Sequence, residues 1–149
     1  MTDIRGSILL VDDEEKIVKT LGRALRAEGH DVVEARSADE ARDLLGRRAF
    51  DLLVIDNLMP GTTGLELIRR LSADGDADRP QIVMMTAHAS VESAVEAMKL
   101  GALDYLQKPF EVDELLVVVR RAVEDQRLRI ELWNPSGDLP ANRSRGQQP

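Results

Sequence analysis

Two groups of carboxylates follow apolar runs in this sequence. The first run, Ser7–Val11, is followed by four consecutive acids: Asp12, Asp13, Glu14 and Glu15. A second run ends in Asp56. Carboxylates gathered at one site repel one another and raise each other's pKa values unless a cation lies among them. Mg²⁺ fits this chemistry because it prefers oxygen ligands and is held by one or two carboxylates together with waters and phosphate oxygens.

Each of these residues also has a structural interpretation. Acids suit the first turn of a helix, where they face the positive end of its dipole, and we assign Glu14 and Glu15 to that role. A strand-end Asp such as Asp56 is commonly a turn residue. Thr86 and Lys108 end two further apolar runs, and alone they would be a capping residue and a solvated surface charge. The chemical interpretation therefore depends on whether the fold brings these residues together.

Composition and charge favour a single domain with an aliphatic core and exclude several classes of protein. The chain has 149 residues, of which 43% are hydrophobic and only four aromatic, and its net charge is -7 with dispersed basic residues. This charge argues against nucleic acid binding by the domain and against an anionic membrane surface. The sequence has no Cys, no signal-peptide pattern at its start and no apolar stretch near the roughly 20 residues that span a bilayer. We expect a cytoplasmic protein.

Short apolar runs alternate with amphipathic stretches from Ser7 to about Pro109, which is typical of a βα architecture. The predicted strands are Ile8–Val11, Val32–Ala35, Leu52–Ile55, Ile82–Met85 and Asp104–Leu106. Apolar residues at helical spacing predict a helix after each strand. Five such units joined by right-handed crossovers predict an α/β, flavodoxin-like fold: a five-stranded parallel sheet in the order 2-1-3-4-5 with five helices on both faces.

Local signals support the predicted helix boundaries. Ser37 with Glu40, and Thr63 with Glu66, have the spacing of capping boxes, in which a hydroxyl and a carboxylate bond the free N–H groups of a first turn. Gly29 and Gly101 stand where the first and fourth helices should end. In a doubly wound sheet the ligand site lies beyond the carboxyl ends of the strands. The predicted fold therefore brings the acids at positions 12, 13 and 56 to one edge.

The chain changes character after Glu124. Apolar residues between Leu116 and Trp133 recur at alternating spacings of three and four, which allows the fifth helix to continue as a short heptad-like stripe. From Asn134 onward Pro, Gly, Ser, Asn and Gln dominate, which predicts disorder. We expect a domain over residues 1–126 and, over 127–149, a helix extension followed by a disordered tail.

The full set of motifs resembles the receiver domain of bacterial two-component response regulators over about residues 7 to 126. The matching elements are Asp12-Asp13, Asp56 with Met59-Pro60-Gly61 and Gly64, Thr86-Ala87, and Gly101–Leu106 followed by Lys108-Pro109-Phe110. The sequence from Gly101 to Phe110, together with a long fifth helix, is similar to that of receivers of nitrogen-regulator-type transcription activators.

The resemblance implies a role for each site residue. Asp56 would be the phosphoacceptor, which takes a phosphoryl group from a phosphohistidine on a sensor histidine kinase or phosphotransfer protein. Mg²⁺ would be bound by Asp13 and Asp56, by the Leu58 backbone carbonyl and, largely through water, by Asp12. Lys108 and Thr86 would contact phosphoryl oxygens, and the Lys108-Pro109 bond would be cis. The domain would assist its own phosphotransfer and autodephosphorylation rather than act as an enzyme.

The resemblance also implies a switch. Phosphorylation would draw Thr86 toward the phosphate and turn Tyr105 inward, remodelling the face of helix four, strand five and helix five, through which a homodimer could form. The ordinary alternative for Tyr105 is a rim aromatic. The side chains at Leu58 and His88 lie beside the phosphoryl site in the family and tune hydrolysis. His30, which follows Gly29, is expected to be a surface turn residue.

Three competing functions remain to be weighed. A haloacid-dehalogenase-like phosphatase needs Asp-x-Asp after the first strand, where this chain has Glu14 as the third residue. A nucleotide or flavin binder needs backbone amides for phosphate in its first loop, but this loop is acidic. An unphosphorylated pseudo-receiver would not need the complete acidic and basic set. The output is either that of a transcription regulator or that of a stand-alone receiver or phosphorelay module.

Overall fold

A computed structural model describes residues 5–74, 79–87 and 90–132. Within these residues the strands are β1 (Ser7–Val11), β2 (Asp31–Ala35), β3 (Leu52–Asp56), β4 (Gln81–Thr86) and β5 (Asp104–Gln107). The helices are α1 (Glu15–Ala27), α2 (Ala38–Leu45), α3 (Gly64–Asp74), α4 (Val91–Lys99) and α5 (Val112–Leu132). The sheet is parallel in the order β2-β1-β3-β4-β5. The predicted fold class is confirmed, and each predicted strand matches within one residue at either end.

The two faces of the sheet bury alternate residues of each strand. Ile8 and Leu10 of β1 pack with α1 and α5 in one apolar cluster. Leu9 and Val11 point the other way and pack with α2, α3 and α4 in a second cluster. Both sets are fully buried, which explains why the run is continuously apolar rather than alternating. The layers hold all strand ends in fixed relative positions.

Predicted caps are found at several helix ends. Gly29 and Gly101 follow α1 and α4 with φ angles of +97° and +103°, a region that glycine adopts without strain. The Ser37 hydroxyl accepts a bond from the Glu40 N–H. The Glu40 carboxylate, however, accepts from the Arg36 N–H rather than from Ser37. The second box, between Thr63 and Glu66, is reciprocal.

The prediction for His30 is wrong. This residue is only 7% exposed, and its Nδ1 accepts a hydrogen bond of 3.0 Å from the Gly6 N–H. The imidazole can be buried because its Nδ1 is satisfied by the N–H of Gly6. Gly6 directly precedes β1 and lies 24 residues away from His30 in the sequence. A turn signal after Gly29 therefore coincided with a core position.

Helix α5 extends to Leu132. The middle of its predicted stripe, Val119, Val123 and Gln126, is fully buried, and Val119 and Val123 pack inside the domain in the same cluster as residues of α1. Trp133, the predicted disordered tail from Asn134 and the tuning position His88 all lie outside the described residues. None of the described helices is both long and apolar enough to cross a membrane.

Candidate phosphorylation and metal site

The predicted acidic residues meet at the carboxyl edge of the sheet. Asp12 follows β1, and Asp56 is the last residue of β3, the neighbouring strand. One carboxylate oxygen from each of Asp12, Asp13 and Asp56 lies within 4.8 Å of the others. Asp12 is fully buried and Asp56 is 4% exposed. Since ionised carboxylates are seldom buried without a partner, this cluster requires positive charge.

Lys108 supplies one positive charge from the end of β5. Its Nζ lies 2.6 Å from an Asp12 carboxylate oxygen and 3.6 Å from an Asp56 carboxylate oxygen. The Lys108 side chain is 12% exposed, and the Lys108-Pro109 peptide bond is cis. The Lys108 backbone N–H donates to the Thr86 carbonyl at 2.8 Å. This bond places the ends of β4 and β5 side by side.

The carboxyl group of Asp56 has an altered proton affinity. Its pKa is raised to about 6, mainly by burial and next by the nearby Asp12 carboxylate, whereas the Lys108 ammonium acts in the opposite direction. For Lys108, burial lowers the pKa, but the hydrogen bond to Asp12 and the surrounding carboxylates outweigh burial and raise it overall. The ammonium is therefore firmly charged, while Asp56 holds its proton more tightly than an ordinary aspartate.

The donor set fits a hard divalent cation. Three carboxylates face one ammonium, which leaves an excess of negative charge in a largely buried place. Among the described residues, Asp56 Oδ1 is buried and has no hydrogen-bond partner. All of the available ligand atoms are oxygens, which suits Mg²⁺ rather than a softer metal. A cation among these groups would satisfy both the charge and the unpaired oxygen.

The remaining predicted residues lie around this cluster at different distances. Thr86 is fully buried at the end of β4, next to the strand that carries Asp56. The side chain of Leu58, two residues after Asp56, is 46% exposed. Tyr105 lies in β5, and its hydroxyl is 2.9 Å from the Ser93 hydroxyl of α4. Tyr105 therefore contacts α4, away from the carboxylates.

Asn57 is a buried residue that the sequence analysis passed over. It is 9% exposed, and its Oδ1 accepts a 3.0 Å hydrogen bond from the Leu65 N–H in the first turn of α3. Its backbone carbonyl accepts from the Gly64 N–H at 3.1 Å. An Asn directly after a strand-end Asp is a common turn pattern, so no local signal indicated this cap eight residues away.

A second missed feature is the cap of α4. Ser90 and Ser93 form a reciprocal capping box at its first turn. The usual signature has Glu or Gln at the third helical position, so a Ser-x-x-Ser spacing was not detected. The Ser93 hydroxyl accepts the Ser90 N–H in this cap and also contacts the Tyr105 hydroxyl.

The chain is similar in sequence to a known protein family and to several curated proteins. The family profile described as response regulator receiver domain matches residues 8–120. The chain is 36% identical over 127 residues to the uncharacterized transcriptional regulatory protein YkoG of Bacillus subtilis, covering 85% of this chain and 55% of that protein. It is 33% identical over 142 residues to the DNA-binding transcriptional regulator NtrC of Escherichia coli K12, covering 91% of this chain and 29% of NtrC.

The fold is also similar to that of a solved receiver domain structure. The beryllofluoride-activated NtrC4 receiver domain dimer superposes with a TM-score of 0.74 at 32% identity, covering 80% of this chain and 98% of that one. The chain spans 55% and 29% of the two curated relatives. The similarity to those relatives therefore concerns one part of each of them.

Proposed function

The chain belongs to the response regulator receiver domain family, and we propose that it is a phosphorylation-dependent switch of a two-component system. Asp56 accepts a phosphoryl group from a phosphohistidine of a sensor histidine kinase or phosphotransfer protein. The observation that carries this proposal is the cluster of Asp12, Asp13 and Asp56, with oxygens within 4.8 Å, in which the buried Asp12 and Asp56 lie beside the Lys108 ammonium.

The proposed transfer is a substitution at phosphorus. A carboxylate oxygen of Asp56 forms a bond to phosphorus, the phosphorus–nitrogen bond of the donor breaks, and the imidazole keeps the electron pair. The product is an acyl phosphate on Asp56. Such transfers depend mainly on positioning and on neutralising charge. Water later cleaves the acyl phosphate and restores the carboxylate.

The residues around Asp56 have distinct roles in this proposal. Asp13, Asp56 and the Leu58 backbone carbonyl would hold Mg²⁺, with Asp12 acting largely through water. Bound Mg²⁺ would offset negative charge on the carboxylates and the phosphoryl oxygens. Lys108 leaves its contact with Asp12 to pair with a phosphoryl oxygen, and the Thr86 hydroxyl donates to another. Leu58 and His88 tune the access of water.

The donor protein must approach Asp56 from the solvent side of the sheet edge. An open cavity of about 520 Å³ lies on the Lys108 side of the cluster, between the start of α1 and the segment that joins β5 to α5. Its lining is mainly apolar, with Ile17, Leu21 and Phe110 among the residues, and it borders Lys108. We assign this rim to contact with the donor.

The proposed output surface is formed by α4, β5 and α5. Val91, Val95 and Met98 of α4 are 83%, 46% and 48% exposed, and their spacing places them along one side of the helix. Phosphorylation moves Tyr105 and remodels this face, through which two copies pair. The output is regulation of transcription by a downstream domain or partner. A stand-alone receiver or phosphorelay module acting by protein contact is the alternative.

We propose that the chain consists of one domain, which contains the site, and a C-terminal extension. Residues 1–126 form the receiver, and 127–149 form a helix extension and a tail. This domain itself contacts neither nucleic acid nor membrane, and it works in the cytoplasm, where a kinase domain can reach it. It assists its own phosphorylation and dephosphorylation but turns over no separate substrate.

Intact-mass measurement after incubation with acetyl phosphate and Mg²⁺ tests the proposal. Wild type should gain one phosphoryl group, and Asp56→Asn should gain none. Asp43→Asn is a matched control because it makes the same chemical change at a 65% exposed side chain, and it should behave as wild type. An adduct of equal size on Asp56→Asn, or none on wild type, would overturn the assignment.

A further inference from the structure

In the segment that follows Asp56, Asn57 accepts two hydrogen bonds from the start of α3. Its carbonyl oxygen and its side-chain Oδ1 accept the N–H groups of Gly64 and Leu65, at 3.1 Å and 3.0 Å. These are the first two residues of α3. Helix starts leave such N–H groups without intrahelical partners. Asn57 therefore acts as a cap from seven residues outside the helix.

The other half of the first turn has a separate cap. The Thr63 hydroxyl accepts the Glu66 N–H at 3.1 Å, and the Thr63 carbonyl accepts the Leu67 N–H at 3.1 Å. The Thr63–Leu67 bond is the first helical bond, so Asn57 accepts two of the free donors of this turn, those of Gly64 and Leu65, and Thr63 accepts one, that of Glu66. The side chains of Asn57 and Thr63 both cap α3, but only Asn57 is the direct neighbour of Asp56 in the sequence.

Asn57 is also anchored to the sheet. Its backbone N–H donates to the Met85 carbonyl of β4 at 2.9 Å. The loop of residues 58–63 is therefore closed at Asn57, which is held by β4 on one side and by α3 on the other. Asp56 lies immediately before this junction, and the Leu58 carbonyl lies immediately after it.

The start of α3 approaches the Asp56 backbone very closely. A Cβ atom at Gly64 would lie 2.9 Å from the Asp56 carbonyl oxygen and 3.0 Å from the Asn57 Cα. Both neighbours are backbone atoms, which cannot move aside as a flexible side chain can. A shift of the start of α3 would therefore displace the backbone of Asp56, the proposed phosphoacceptor.

We propose that Asn57 is a positioning residue for phosphoryl transfer at Asp56: its side-chain bond to Leu65 fixes the backbone that presents the Asp56 carboxylate and the Leu58 carbonyl. This inference rests on the proposed function, because both groups are proposed Mg²⁺ ligands. Mg²⁺ requires near-ideal octahedral geometry, and residues that orient metal ligands commonly change affinity about 10- to 100-fold. A helix cap without this role would contribute only to stability.

The test compares Asn57→Ala with Thr63→Ala, which removes the other side-chain acceptor from the same helix turn. Mg²⁺ alone is titrated into the full chain, and its dissociation constant is measured from backbone amide chemical shifts. We expect a roughly tenfold or greater weakening for Asn57→Ala and less than about a twofold change for Thr63→Ala. Urea unfolding should show a similar loss of stability for both variants.

Further variants and readouts keep the outcome clear. Hydrogen exchange at the Leu65 amide should speed up in Asn57→Ala, whereas Asn57→Asp, which keeps the acceptor oxygen, should restore both amide protection and Mg²⁺ binding. If Asn57→Ala does not fold, Asn57→Ser takes its place, because its oxygen lies one bond closer to the backbone; a loss in the same direction is expected.

The results separate this inference from the proposed function. Wild type that binds no Mg²⁺ would overturn the proposed function and this inference with it. Wild type that binds Mg²⁺ while the Asn57 variant binds equally well would overturn the positioning role alone. An equal weakening in Thr63→Ala would do the same, because Asn57 would then act only through helix stability.

Discussion

The Lys108 ammonium lies 2.6 Å from a carboxylate oxygen of Asp12, so the cation at the end of the fifth strand is paired with an acid at the end of the first. It is 3.6 Å from Asp56. Lys108 therefore partly neutralises the place where a metal ion would bind. The same ammonium stands within reach of a phosphoryl group on Asp56.

We expect Lys108→Met to separate metal binding from phosphorylation. Removing the ammonium leaves the carboxylates without a competing cation, so Mg²⁺ should bind several-fold more tightly, by about 1 kcal/mol. Phosphorylation by acetyl phosphate should slow by about a hundredfold, because a charged donor to the phosphoryl oxygens is lost. Titration calorimetry and intact-mass kinetics measure the two effects. Lys19→Met, at a 60% exposed side chain, is the control, and weaker Mg²⁺ binding by Lys108→Met would contradict the argument.

The stability of the metal-free protein should depend on Asp56 and on pH. Burial raises the Asp56 pKa to about 6 in the folded state, above the unfolded value of about 3.9. Its contribution to stability is therefore complete below about pH 4 and is lost as the pH rises through 6. Asp56→Asn should be more stable than wild type at pH 7.5 by roughly 3 kcal/mol, with little difference at pH 4. Urea unfolding at both pH values tests this, and an equal difference at both would refute it.

The site was predictable from sequence because it depends on strand ends. The apolar runs identify the strands, and a parallel sheet brings their carboxyl ends to one edge. Asp12 and Asp56 could thus be placed together without coordinates. Lys108 followed in the same way, since it lies two residues after the fifth predicted strand.

The features that were missed depend on contacts distant in sequence, except for the local Ser90–Ser93 cap, which lacks the usual Glu or Gln. His30 is buried because Gly6 needs an acceptor, and nothing in the local pattern around Gly29 indicates this. Asn57 looks like a turn residue until the start of α3 is known to lie beside it. The contact between Ser93 and Tyr105 joins a helix cap to a neighbouring strand. Local propensity cannot identify such partners.

The buried His30 should make the fold sensitive to mild acid. Burial is the main cause that lowers its pKa below the ordinary value of about 6.5. Stability from the neutral imidazole is present above pH 6.5 and declines as the pH falls, because the unfolded chain takes up the proton first. His30→Asn keeps an acceptor near the Nδ1 position and does not titrate. Urea unfolding between pH 7.5 and 5.5 should show a smaller loss for this variant, and parallel curves would contradict the prediction.

The bond between Ser93 and Tyr105 should restrain the proposed switch. The two hydroxyls are 2.9 Å apart, and the Ser93 hydroxyl also belongs to the cap of α4. If Tyr105 must leave α4 when Asp56 is phosphorylated, removing this bond favours the switched state. A neutral hydrogen bond contributes about 1 kcal/mol, which corresponds to about a fivefold change in an equilibrium constant.

Tyr105→Phe tests this restraint because it removes the hydroxyl and leaves the α4 cap intact. We expect the unphosphorylated variant to dimerise about 25-fold more tightly than wild type, measured by sedimentation equilibrium, because each of the two copies gains about fivefold in the switched state. Ser93→Ala should shift dimerisation in the same direction and also lower stability, since it removes part of the cap. The double variant should dimerise no more tightly than the stronger single variant, because both changes remove one bond. Unchanged dimerisation in Tyr105→Phe would show that the contact does not hold the switch.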